Sequence, residues 1–419
     1  MPSHTLDLAL VLARDPADQL ASLEFWGRVI AAAFLFAFGA CVGSFLNVLV
    51  YRLPAGLSVV TPPSRCPICG HRLAWHENLP VIGWLRLRGR CSACKTPISI
   101  QYPLIEAAIG VLFAGLYLLY FTVPESSPLA AIGGPWWKAQ GFAYAWPTFM
   151  AVAFLLTALI AMTLIDARTF TIPIELSTAV ILLGLGAALL QPLMPTGYRA
   201  AGLWPVSLPL WKGTGLGIGG LLGTGVALGL LRKGLVTPSF LDFDQYVKEG
   251  DDLASYPHAR REMRKELAFL LPIVVGMAVG FFVGSVLGSS GDAKPPLLLR
   301  SIGASGIGFL VGGGLLWALR IGGTYLFNRE AMGMGDVHLL AGVGAVLGWQ
   351  DATWTLFLTP AFALTWVGVR VAVGAVLGRR WMEIPLGPFL AAAAFFRVLA
   401  HPWIDRAFET YVLYREPLF

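Results

Sequence analysis

Long apolar stretches alternate with short polar links along almost the whole chain. Runs at approximately 29–50, 103–122, 147–165, 173–194, 211–231, 268–288, 303–326, 353–377 and 384–400 each come close to the roughly 20 apolar residues a helix needs to cross a hydrocarbon core. A further run, 337–349, is shorter. The pattern predicts an all-α polytopic membrane protein with about 8–10 transmembrane helices. Composition supports this: 56% of the 419 residues are hydrophobic and 13% are charged, against about 25% in soluble domains. Residues 1–24 are mixed and polar and the first run is long enough to stay as a span, so no cleaved signal peptide is expected.

The net charge of +6 does not point to nucleic acid, because Lys and Arg sit mainly in the links between apolar runs. That placement sets topology. The loop 51–102 holds seven basic residues against one acid, Glu77, which places it in the cytoplasm and the N-terminus outside. Counting spans from there brings Asp166, the second basic loop (232–267) and Asp336 all to the cytoplasmic face. The count requires that 211–231 and 268–288 both span or both do not. Where 337–349 also crosses, Arg379 and Arg380 fall inside too. Five segments result: 1–50 with the first helix, the loop 51–102, helices over 103–199, a segment 200–302 with two apolar runs and a charged loop, and helices over 303–419.

Within the first basic loop stand Cys66-x-x-Cys69 and Cys91-x-x-Cys94, separated by 21 residues. Two such knuckles can close a tetrahedral thiolate site around zinc, and Gly70 suits the tight turn of the first. Paired disulfides are the competing reading, which a reducing compartment disfavours. Four thiolates leave no open position, so the zinc is structural. A metal also helps a loop with so small a core to fold. His71 and His76 read as surface residues, and Cys41, inside the first run, as a small packing residue.

An ionisable residue in or beside a membrane helix is costly and marks a candidate site. The acids that qualify are Glu106, Asp166, Glu175, Glu330 and Asp336. Asp166 and Asp336 form the best pair, since each lies at a helix end and the span count puts both on one face. Two carboxylates sharing a water constitute an aspartic-protease dyad. Gly333 and Gly335 leave room for a peptide beside Asp336. Taken singly, each Asp is equally an interfacial helix cap.

These residues resemble the type IV prepilin peptidases. The similarity runs through "GSFLNVLVYRLP" (Gly43–Pro54), the CxxC pair, "ISIQYPLIEA" (Ile98–Ala107), the Asp166 motif with Ile172-Pro173, "EAMGMGDVHLLAGVGAVLGW" (Glu330–Trp349) and "IPLGPFLA" (Ile384–Ala391). The resemblance implies a multi-pass protein of the bacterial inner membrane, an aspartic endopeptidase that removes the basic leader from pilin or pseudopilin precursors at the cytoplasmic face. It assigns catalysis to Asp166 and Asp336 and zinc to Cys66, Cys69, Cys91 and Cys94. It further implies, for many members, N-methylation of the new N-terminus with S-adenosylmethionine. Three departures stand out: His338 where Lys is usual, Ile174 where an acid is common, and the segment 200–302 as an insertion.

The remaining signals carry less chemistry. "GTGLGIGG" (Gly213–Gly220) contains a GxGxxG match with no preceding strand, so it reads as small residues at a membrane helix contact, as does "GIGFLVGGG" (Gly306–Gly314). Asn47, Arg52, Glu106 and His338 are candidates for substrate binding, Asn47 and Arg52 serving equally as interfacial anchors. Glu77 and Glu106 are candidates to receive a basic leader. Expected partners are the precursors, membrane lipid and pilus or secretion assembly proteins; the charged loop of 200–302, with its acidic cluster Glu249–Asp252, reads first as a solvated cytoplasmic subdomain and second as a docking surface for assembly proteins. Two alternatives stand beside this reading: a presenilin- or signal-peptide-peptidase-like protease, and a transporter or assembly scaffold whose aspartates bind cations.

Overall fold

A computed structural model describes residues 16–195, 204–242, 246, 256–289, 294–377 and 385–414. Arg379, Arg380 and the acidic cluster at 249–252 lie outside these. Among the described residues the regular structure is helical, apart from two isolated bridges in the Cys loop. The elements are α1 (Pro16–Arg52), α2 (Ile82–Arg86), α3 (Gln101–Tyr117), α4 (Ala130–Gln140), α5 (Phe142–Thr169), α6 (Ile174–Leu190), α7 (Trp211–Arg232), α8 (Ala259–Gly288), α9 (Leu297–Phe327), α10 (Met334–Leu347), α11 (Trp349–Leu377) and α12 (Gly387–Tyr414). Eight of the described helices are long and apolar enough to cross a membrane: α1, α3 with its π turn to Thr122, and α5, α6, α7, α8, α9 and α11.

The described part of the run at 384–400 opens α12, which carries Arg397, His401 and Asp405 in its second half and is not among the eight. The short run becomes α10, whose 14 residues extend about 21 Å, less than the roughly 30 Å of a hydrocarbon core. Every residue from Leu339 to Val346 is buried, so α10 is apolar all round as a helix enclosed by protein.

The chain forms two compact units, one of 1–49 and 58–130, the other of 50–57 and 131–419. In the first, α1 and α3 run antiparallel at close range: a Cβ on Gly39 would lie 2.7 Å from the Ile109 carbonyl, and one on Gly43 would lie 2.8 Å from Glu106 Cα. The expectation for Cys41 is corrected: it lies on the exposed side of α1 rather than in this contact.

In the second unit α5 supplies much of the core, with Phe149, Leu155, Leu156, Leu159, Met162 and Ile165 at most 2% exposed. The glycine-rich stretches make the helix contacts read from the sequence. On α7, Gly215, Gly219 and Gly223 meet the backbone of Gly280, Gly276 and Pro272 on antiparallel α8, at four-residue steps. The far side of α7 carries Gly217, against Gly303 of parallel α9. Gly308 and Gly312 of α9 abut Gly344 and Leu340 of antiparallel α10, and Ser305 Oγ donates to the Ala345 carbonyl at 2.6 Å. Finally, Gly184 of α6 meets Ala345 and Val180 meets Gly342, so α6 and α10 run parallel. Since α6 begins where α5 ends, the C-terminus of α5 and the N-terminus of α10 lie at one end of the unit.

Candidate active site and metal centre

Asp166 is 5% exposed and stands one turn before the end of α5, where Phe170 takes a left-handed conformation and its N–H donates to the Asp166 carbonyl at 2.9 Å. A carboxylate at a helix C-terminus opposes the macrodipole, so helix stability does not account for it. The compensation comes from another helix. Gly387 opens α12, and its N–H donates to the Asp166 carboxylate. A Cβ on Gly387 would lie 2.6 Å from Asp166 Oδ2 and 3.0 Å from Ile172 Cδ1.

Asp336 is half-buried in the first turn of α10, where the dipole favours a carboxylate. Gly333 is the exposed N-cap, and a Cβ there would lie 3.9 Å from Asp336 Oδ2. Gly335 serves packing, since its Cβ would come within 2.8 Å of Ile172 Cβ. Ile172, in the link from α5 to α6, therefore touches both Gly335 and Gly387 and ties the two aspartate-bearing ends together. The carboxyl groups are close enough to interact electrostatically. Four helix ends, from α5, α6, α10 and α12, thus converge on two carboxylates. Gly387 was not singled out from the sequence, although it lies inside a quoted block.

His338 is not part of this pair. Two residues on from Asp336 it lies about 200° around the helix, and it hydrogen-bonds the Met334 backbone. Glu330 is taken up by Arg320, Nη1 to Oε1 at 2.6 Å, and Glu175 is exposed in the first turn of α6. Arg52 ends α1 half-buried, its carbonyl accepting the Leu57 N–H.

In the other unit the four cysteine sulfurs all lie within 4.8 Å of one another, Cys66 to Cys94 at 3.8 Å and Cys69 to Cys91 at 3.9 Å. A disulfide needs about 2.05 Å. Sulfurs 2.3 Å from a tetrahedral zinc are about 3.8 Å apart, so the cluster fits that metal. The knuckles repeat one backbone pattern. Cys66 N–H donates to His71 O and Cys91 N–H to Thr96 O, both at 2.9 Å; Gly70 N–H returns to Cys66 O and Lys95 N–H to Cys91 O. Gly70 (φ +71°) and Lys95 (φ +60°) occupy the same left-handed corner.

Glu77 staples the loop together instead of presenting a free charge. Hydrogen bonds from Ser92 and from the Ala74 N–H, with His71 Nε2 at 3.2 Å, hold its carboxyl down at about 2. Glu106 is also inward, 8% exposed, accepting the Val81 N–H at 2.6 Å and thereby fixing the loop to α3. Asn47 Nδ2 donates to the Tyr102 carbonyl at 3.3 Å. Both candidate leader receptors, Glu77 and Glu106, thus already carry bonds within their own unit.

Comparison with known proteins follows the same division. Residues 37–120 match the family model described as bacterial peptidase A24 N-terminal domain, and 266–368 that of the type IV leader peptidase family. A prepilin leader peptidase/N-methyltransferase of Klebsiella pneumoniae is 33% identical over 45% of this chain and 72% of its own length. The chain belongs to the prepilin leader peptidase family. The family member of that name from Myxococcus xanthus is 54% identical, over 22% of this chain and 28% of its own length. A third, from Aeromonas hydrophila, is 26% identical over 90% of this chain and 93% of its own. No solved structure matches the chain. Asp336 lies within the second matched stretch, Asp166 between the two, and the four cysteines within the first.

Proposed function

We propose that the chain is an aspartic endopeptidase of the bacterial inner membrane that removes the leader from pilin or pseudopilin precursors at the cytoplasmic face. The observation that carries this reading is the convergence of Asp166 and Asp336 from two separate helix ends. Two adjacent carboxyls hold one proton between them, because close like charges do not both ionise. The ionised member takes a proton from a water lodged between them as its oxygen attacks the scissile carbonyl carbon. The protonated member hydrogen-bonds the carbonyl oxygen and stabilises the developing oxyanion. Collapse of the tetrahedral intermediate breaks the C–N bond, and the leaving amine takes a proton from the pair. Neither aspartate has a fixed role, since the pair titrates as a unit. Gly387 N–H orients Asp166 throughout.

Cys66, Cys69, Cys91 and Cys94 would hold a zinc ion, which would supply a fixed fold to the loop; no step of the cleavage runs through it. The methyl transfer in the relatives' names is not assigned to any residue of this chain.

The test is incubation of the purified protein with a pilin-like precursor and a labelled methyl donor, with mass measurement of the product. Asp166→Asn and Asp336→Asn are each expected to lose at least about 10²-fold in rate. Continued cleavage by either would sink the dyad. Product mass reads methylation in the same experiment.

A further inference from the structure

Arg320, near the end of α9 and 2% exposed, lies at the centre of a buried charge cluster outside the catalytic pair. From one side its Nε and Nη2 donate to Glu266 Oε1, at 3.2 and 3.1 Å. From the other, Nη1 donates to Glu330 Oε1 at 2.6 Å and to the Met332 carbonyl. Glu266, on α8 and 3% exposed, also accepts from Trp317 Nε1 at 2.7 Å and Ser239 Oγ at 3.0 Å. The Phe240 ring covers the guanidinium at 5.3 Å. A charge so placed in an apolar helix is expensive. Its planar set of donors bridges two directions at once, which an ammonium does not reproduce.

The location of the partners indicates the role. Glu330 and Met332 belong to the link between α9 and α10, and between them the Ala331 N–H donates to Thr324 Oγ1 at 3.2 Å. The link is therefore held at three successive residues, ending one residue before the Gly333 N-cap and four before Asp336. Its outer anchor, Glu266, belongs to the segment 200–302. We propose that Arg320 and Glu266 are positioning residues for Asp336. α8 holds the guanidinium, the guanidinium holds the link, and the link sets where α10 begins and where its first carboxylate stands relative to Asp166. The segment 200–302 thereby has a catalytic purpose, supplying the buried carboxylate that keeps Arg320 in place. This inference rests on the dyad reading.

The experiment uses the full chain in detergent with a pilin-like precursor. Glu266→Gln keeps the shape and loses the charge. A displacement of about 1 Å can cost 10²-fold in rate, so kcat is expected to fall at least tenfold with KM within twofold. Amide hydrogen exchange is expected to quicken across 328–336 and stay unchanged in α5. Arg320→Lys should follow the same pattern. If Glu266→Gln does not fold, Ser239→Ala loosens Glu266 without removing a charge, and a smaller drop of about threefold with faster exchange in 328–336 is expected. Wild-type kcat, or unchanged exchange in 328–336, in a folded variant overturns the inference. Failure of the dyad reading looks different: Asp336→Asn would then cleave, whereas failure of this inference alone leaves Asp336→Asn inactive and Glu266→Gln fully active.

Discussion

At the scale of single residues, the two aspartates stand in opposite electrostatic settings. Asp336 is favoured by the start of its own helix, while Asp166 is disfavoured by the end of its own and relies on Gly387. Gly387→Ala would press a methyl against Asp166 Oδ2 and Ile172. It is expected to lower kcat at least tenfold while the thermal midpoint moves little; unchanged kcat would show that the contact does not orient the carboxylate. Glu77 offers a pH-linked case in the Cys loop. Its carboxyl is depressed, so its contribution to loop stability is full above the ordinary value of 4.5 and is lost as pH falls toward about 2. Glu77→Gln is accordingly expected to lose zinc to a chelator faster than wild type at pH 7, as read by the absorbance of a zinc indicator. The Asp pair was legible from sequence because acids are conspicuous in apolar runs. Arg320 stands in an apolar run just as plainly, and the same cost argument, applied to basic residues as well as acids, finds it.

At the scale of helices, the glycine-rich stretches read from the sequence as contacts are contacts, and the structure adds their four-residue step. Gly215, Gly219 and Gly223 leave no room between α7 and α8, whereas Gly225 on the same helix has nothing within 4 Å of its would-be Cβ. Gly219→Leu is expected to destabilise by at least the roughly 1–3 kcal/mol typical of overpacking, lowering the thermal midpoint or giving aggregated protein on size exclusion. Gly225→Leu should leave both unchanged, and equal behaviour of the two would argue against the contact. Hydropathy could not settle whether 337–349 spans, because a helix buried in protein and one bathed in lipid present the same apolar sequence. The helix α12 continues beyond the last apolar run, to Tyr414, and its Arg397 pairs with Asp351 and Asp405.

At the scale of the whole molecule, the helix directions within the second unit bring Asp166 and Asp336 to one end, with α7 and α8 adding one passage each way. The Cys loop and the aspartates belong to different compact units. One zinc per chain is expected by metal analysis of the purified protein. Chelation should open residues 58–100 to protease while α5, α6 and α10 stay resistant; protection of the loop after metal removal would contradict a folding role for zinc.

The repeated knuckles also imply an unequal division of labour. Both turn the same left-handed corner, but one does so with a glycine and the other with Lys95, whose Cβ makes that conformation cost about 1–2 kcal/mol. The second half of the clasp is thus strained, and a bound metal would hold it shut. Lys95→Gly would release that tension and tighten zinc binding by roughly fivefold or more, a gain of function obtained by deleting a side chain.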